Sequence, residues 1–174
     1  CHGLYYTYAV THEDDVFEVV DPYARAAGVN GVRGMVVDLA RTNPEGWPGI
    51  ERPVLDAMVD AIIYELHVRD FSTHPQSGIV HKGKFLAFTE AGTRGPQGIK
   101  TGLDHLLDLG ITHLHLLPIF DFASVDEAEQ EHPQFNWGYD PKNYNVPEGS
   151  YATDPFDGTV RIRELKAAIQ SLHQ

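Results

Sequence analysis

Two apolar runs with a short amphipathic segment between them constrain the fold of this chain more than any other feature. Ala61-Ile62-Ile63-Tyr64-Glu65-Leu66-His67-Val68 is almost continuously apolar, and Ile111-Thr112-His113-Leu114-His115-Leu116-Leu117-Pro118-Ile119-Phe120 is a second such run. Short apolar runs of this kind are the pattern of strands covered on both faces. Between them, Leu103, Leu106 and Leu107 make one side of a helix over 103–109, with Thr101 or Gly102 near its start and Gly110 ending it. Strand, helix and strand make one parallel βαβ unit, right-handed by strong expectation. A last helix over 160–173 carries Ile162, Leu165, Ile169 and Leu172 on one stripe, and Gln174 follows where an α/β pattern calls for another strand. A closed eight-stranded α/β barrel needs about 250 residues. This chain has 174, so the pattern predicts an α/β piece that is incomplete on its own.

The N-terminal stretch has a different character. Leu4, Tyr6, Tyr8 and Val10 share one face at period two, His12-Glu13-Asp14-Asp15 is a turn candidate, and Val16-Phe17-Glu18-Val19-Val20 reads as a second strand. Asp21-Pro22 ends that strand, because proline cannot donate to a ladder. Gly28 to Gly34 reads as a flexible connection, and Met35-Val36-Val37-Asp38-Leu39 as a third strand. Three short strands bury little alone, so residues 1–42 are expected to be the end of a β-sandwich. The breakers of Asn43-Pro44-Glu45-Gly46-Trp47-Pro48-Gly49 open a linker over 43–60, and the α/β part occupies 61–174. Within that part, 72–100 and 121–158 are expected to be long connections with functional potential.

Charge removes several functions. The chain carries 25 acidic and 13 basic side chains, a formal net charge of −12. That balance argues against nucleic acid and against an anionic membrane surface. No apolar stretch approaches the roughly 18 residues a membrane-spanning helix requires. The one cysteine, Cys1, can make neither an internal disulfide nor a Cys-based metal motif. No leader peptide is visible, and the chain opens on Cys1-His2-Gly3 as though entering mid-strand, which suggests a processed or cut piece.

Chemistry concentrates in Phe135-Asn136-Trp137-Gly138-Tyr139-Asp140-Pro141-Lys142-Asn143-Tyr144. Sugar recognition wants aromatic plates against the apolar face of a ring, beside polar groups that reach hydroxyls. Trp137, Tyr139 and Tyr144 supply plates; Asn136, Asp140 and Asn143 supply donors and acceptors. The competing reading packs these aromatics onto the scaffold, Trp137 before Tyr139, which stands between Gly138 and an acid. His67 and Asp70 close the first strand as either a substrate contact or a hydrogen-bonded support pair. His113 and His115 share a strand face, where core packing is expected over metal ligation for want of a third ligand. The acids around 126–131 read as a solvated face, and no two of Asp70, Asp121, Asp126, Glu127 and Asp140 are paired by sequence as a hydrolytic couple. A phosphate loop, a serine elbow and a zincin motif are all missing.

Three longer stretches carry a resemblance. Tyr64-Glu65-Leu66-His67-Val68-Arg69-Asp70-Phe71-Ser72, Gly110-Ile111-Thr112-His113-Leu114-His115-Leu116-Leu117-Pro118, and the segment from Asn136 through Tyr139-Asp140-Pro141 to Tyr151 closely resemble type I pullulanases, the starch-debranching enzymes of glycoside hydrolase family 13. Asp21-Pro22-Tyr23-Ala24 with Met35-Val36-Val37-Asp38-Leu39 extends the likeness toward a starch-binding-type sandwich. The resemblance implies the first two strand–helix units of a (β/α)8 TIM barrel preceded by the last sandwich strands. It implies a retaining hydrolase of α-1,6-glucosidic branch linkages in pullulan, amylopectin and related α-glucans. The family's catalytic carboxylates match no residue here, so this chain alone is expected to be inactive. Tyr139 matches the tyrosine that stacks on the substrate ring, Asp140 stands beside it, and His67 joins them as a substrate-binding candidate. No cofactor is required; Ca2+ is common in the family, without ligands assignable on this segment. The implied partners are a branched α-glucan and a second chain completing the barrel, cut between helix 2 and strand 3. The alternatives are a non-catalytic carbohydrate-binding fragment, or a related branch-cleaving activity such as isoamylase or limit dextrinase. A bacterial-type enzyme of this kind works inside or outside the cell, and the sequence does not choose.

Overall fold

In the computed structural model, which describes residues 1–132 and 134–174, the elements follow in the order β1 (Tyr5–Tyr6), β2 (Tyr8–His12), β3 (Asp15–Val19), β4 (Gly34–Met35), β5 (Ile63–Leu66), α1 (Gly102–Leu109), β6 (His113–Leu116), β7 (Phe120–Phe122), β8 (Pro141–Pro147) and α2 (Gly158–His173). The strands pair two by two into sheets that do not close. The fold is mixed α/β, and its residues divide into two units.

One unit comprises residues 1–42 and 119–163. Here β1 runs antiparallel to β4, joining Tyr5 to Met35 and Tyr6 to Gly34. β2 and β3 form a hairpin from Tyr8–Val19 to His12–Asp15, turned by Glu13 in the left-handed region. Pairing 8 with 19 and 10 with 17 puts Tyr8, Val10, Phe17 and Val19 on one face, as period two requires, and all four are exposed. The third predicted strand shrinks to β4, because after Val37 the chain enters a turn of 3-10 helix at 39–42. The predicted connection over 121–158 contains a β-ribbon: β7 and β8 pair antiparallel, with irregular register at Asp121. Pro141 and Pro147 bound β8, which accounts for the missed strand, since proline marks strand ends as readily as loops. The buried apolar residues are mostly small: Ala24, Ala26, Ala27 and Met35 pack with Val146 and with Ile162 of α2, and Phe122 meets Tyr151 edge-on at 5.8 Å.

The other unit comprises residues 43–118 and 164–174. β5 and β6 are parallel neighbours, with Ile63 opposite His113 and Leu66 opposite Leu116, and α1 lies between them in sequence. α1 starts after an extended Thr101 and stops at Gly110, whose φ of 67° is the left-handed conformation that closes a helix end. The expected two-sided cover is missing from β5: Ile63 is 65% exposed, and only Leu66 of the strand is buried. A two-stranded sheet supplies too few neighbours for two-sided burial.

The 72–100 connection packs on its own side chains. Phe71 stacks on Phe88 at 4.6 Å, Phe85 and Ala87 are buried, and the Ser72 hydroxyl accepts the Gly83 amide at 2.7 Å. The Glu90 carboxylate takes the amides of Val80 and His81 at 2.7 and 2.8 Å. The last turns of α2 dock on the 43–47 segment, where Lys166 reaches Asn43 at 2.7 Å and lies over the Trp47 ring. Among the described residues no helix is long and apolar enough to cross a membrane.

Candidate functional site

The aromatic loop is held from beneath. The Asn136 side-chain oxygen accepts the Gly138 amide at 2.8 Å, closing an Asx-type turn, and Gly138 at φ 88° supplies the left-handed residue this bend requires. The Asn136 amide donates to Asp140 Oδ1 at 2.8 Å, the Ser124 hydroxyl donates to Asp140 Oδ2, and the Asp140 carbonyl takes the Ala123 amide at 3.1 Å. These donors, Ser124 first, hold the Asp140 carboxyl below its ordinary range, so it stays an anion. Its two oxygens serve the loop, so Asp140 positions its neighbour. That neighbour, Tyr139, is 67% exposed.

Other rings surround it in sequence. Trp137 is exposed and meets Phe135 edge-on at 5.8 Å, so the expectation that Trp137 packs is corrected. Its turn directs the chain outward, and Phe135 is the ring it touches. Tyr144, on β8, is exposed and tilts against Phe120 at 5.2 Å. Asn143 faces inward and is buried, with its amide on Asp121 Oδ2 at 2.7 Å.

His67 belongs to the other unit. It is buried at the end of β5 and lines a cavity of about 530 Å³ with Tyr64, Asp70, His74 and His105. Its Nδ1 accepts the Asp70 amide over a long 3.4 Å, while the Asp70 carboxylate turns to Arg69 Nη1 at 3.1 Å. His113 and His115 share a face but are not core residues. His113 bonds the Thr112 hydroxyl at 2.8 Å, and His115 lies 3.2 Å from Glu65, its register partner across the sheet.

A second constellation, in the same unit as the aromatic loop, went unread. Asp121, Glu127 and Glu148 are buried, and each offers an oxygen within 4.8 Å of the others. By separation alone this acidic cluster could hold a metal cation such as Ca2+. Arg161 of α2, itself fully buried, reaches Glu127 Oε2 at 2.8 Å and Asp121 Oδ1 at 3.3 Å. Burial raises the Asp121 carboxyl to about 6 and the Glu148 carboxyl to about 7, the neighbouring Glu127 charge adding to both. Glu127 therefore corrects the expected solvated face over 126–131. The one signal in the sequence was Arg161 standing four residues before Leu165, in line with the apolar stripe of α2.

A parallel strand–helix–strand unit and an exposed aromatic loop on a hydrogen-bonded frame define a mixed α/β segment. No family model matches the sequence. Among curated proteins the chain is 44% identical over 173 residues to the pullulanase of Bacillus subtilis, covering 99% of this chain and 23% of that protein. A fainter likeness, 27% over 199 residues, links it to the chloroplastic isoamylase SU1 of Zea mays, again over 99% of the chain and 23% of the relative. Among solved structures it superposes on the Paenibacillus barengoltzii pullulanase complexed with maltohexaose and α-cyclodextrin, with a TM-score of 0.98 and 60% identity over 99% of this chain and 27% of that one. The chain thus spans about a quarter of the length of the relatives it matches. Over nearly its whole length the chain is similar to one segment of pullulanase-type proteins of glycoside hydrolase family 13.

Proposed function

We propose that this segment forms part of a retaining glycoside hydrolase that cleaves α-1,6-glucosidic branches in pullulan, amylopectin and related α-glucans. In this reading 1–42 end a starch-binding-type sandwich, 43–60 link it onward, and 61–174 open a (β/α)8 barrel whose remaining part carries the catalytic carboxylates. Tyr139 is the stacking platform for a glucose ring, Asp140 fixes the loop that presents it, and His67 contributes from the mouth of the first barrel strand. The observation that carries the reading is the exposure of Tyr139 on a loop pinned by Asn136, Ser124 and Asp140. An aromatic side chain carried on a loop already ordered before its ligand arrives leaves less ordering cost to meet on binding.

In the complete enzyme, Tyr139→Ala is expected to lower kcat/KM on pullulan by about 10²-fold, while Tyr139→Phe keeps most of it and neither shifts the unfolding midpoint. Undiminished turnover by the alanine variant would remove the assignment. The likeness to an isoamylase favours a second reading, a related branch-cleaving activity. Comparing pullulan with glycogen as substrates separates the two. In this reading no cofactor is required of this segment; Ca2+ is the metal that hard oxygen ligands of this kind would select if Arg161 did not already engage them.

A further inference from the structure

The Arg161 guanidinium lies inside a cage of oxygen atoms. Its Nη1 donates to Asp121 Oδ1 at 3.3 Å, Glu127 Oε1 at 3.2 Å and the Pro147 carbonyl at 3.1 Å. Its Nη2 donates to Glu127 Oε2 at 2.8 Å and to the carbonyls of Gly28 and Pro155 at 3.4 and 3.2 Å. Carboxylates and backbone carbonyls drawn from separate stretches of chain are the ligand set of a calcium site. Here the same oxygens converge on a planar organic cation.

Two sets of contacts bear on whether a metal has room. The carboxylate oxygens are engaged by amides: Glu127 by Gly149 at 2.9 Å and Asn30 at 2.6 Å, Glu148 by Ser150 at 2.9 Å and Phe122 at 3.0 Å. A single Cβ on Gly149 would collide with both the Arg161 Nη2 and the Glu127 carboxylate, so the guanidinium is closely packed on that side of the cage.

We infer that the guanidinium of Arg161 is the resident cation of the Asp121–Glu127–Glu148 cage, that it excludes divalent metal there, and that its removal turns the cage into a divalent-cation site. This stands apart from the glycosidase reading, because it concerns only what fills the cage.

The test is metal content. The full-length parent protein, its Glu148→Gln variant and its Arg161→Ala variant are equilibrated with calcium, washed through a desalting column, and assayed for calcium per chain by mass spectrometry. Glu148→Gln keeps the side chain's shape and an oxygen that accepts a backbone amide, so it is expected to fold and to carry the same calcium as the parent, whatever the rest of the protein binds. Loss of one equivalent in that variant would show a metal ligated by Glu148 and overturn the exclusion. Arg161→Ala is expected to gain one equivalent and to melt higher in millimolar calcium than in chelator, by more than the parent does. An Arg161→Ala protein that gains no calcium, or stays unfolded with and without it, overturns the conversion. Activity enters neither readout.

Discussion

Tyr139 is presented by its neighbours. Asn136, Gly138 and Asp140 sit within three residues of it, and Ser124 reaches across from the β7 side to complete the frame. Removing the frame should therefore cost affinity even when the ring is untouched. Asp140→Ala, which deletes two hydrogen bonds to a charged acceptor, is expected to raise KM on a branched glucan about tenfold with the unfolding midpoint nearly unchanged, measured by steady-state kinetics beside calorimetry. Arg161 is the opposite kind of residue, deeply buried and structural. Arg161→Met leaves buried carboxylates without their counter-ion and should cost about 3–5 kcal/mol, read from the shift of the urea midpoint.

At the scale of elements, βαβ was legible and the β-ribbon was not. α1 could be read because its leucines repeat at helical spacing and Gly110 ends it in the left-handed conformation. Gly110→Ala should destabilise by about 1 kcal/mol, seen as a lower urea midpoint with unchanged slope. β7 and β8 were hidden because Asp121, Asn143, Pro141 and Pro147 each read locally as loop residues. Asp121 and Asn143 are paired across the ribbon, and Arg161 from α2 adds a bond to Asp121.

That joining gives the ribbon a pH response. Asp121 and Glu148 titrate higher folded than their ordinary 3.8 and 4.5, so the stability they contribute is complete below those ordinary values and is lost as pH rises through about 6 to 7. The facing charges are Glu127 and Arg161, with Lys142 Nζ held at the Asn30 carbonyl beside them. The urea midpoint of the parent should fall between about pH 5 and 8, and Glu148→Gln should flatten that slope.

Across the whole molecule, the apolar runs that point to strands end up as open surface. Ile62 and Ile63 are 54% and 65% exposed, and the apolar side of the β2–β3 hairpin is uncovered. Patches of this kind seek cover. Expressed alone, the segment is expected to bind a hydrophobic dye and self-associate, and both signals should fall when the rest of the parent polypeptide is co-expressed. Dye fluorescence and light scattering report this directly. The sequence by itself determined the parallel strand–helix–strand order and the aromatic loop, because periodicity, helix ends and turn chemistry act over a few neighbouring residues. Only the tertiary structure decided that Trp137 stands out in solvent, that Asp140 is a brace, and that Glu127 is buried against an arginine 34 positions away. Those outcomes depend on which distant segments share a space, and burial and charge pairing are properties of that space rather than of any stretch of chain.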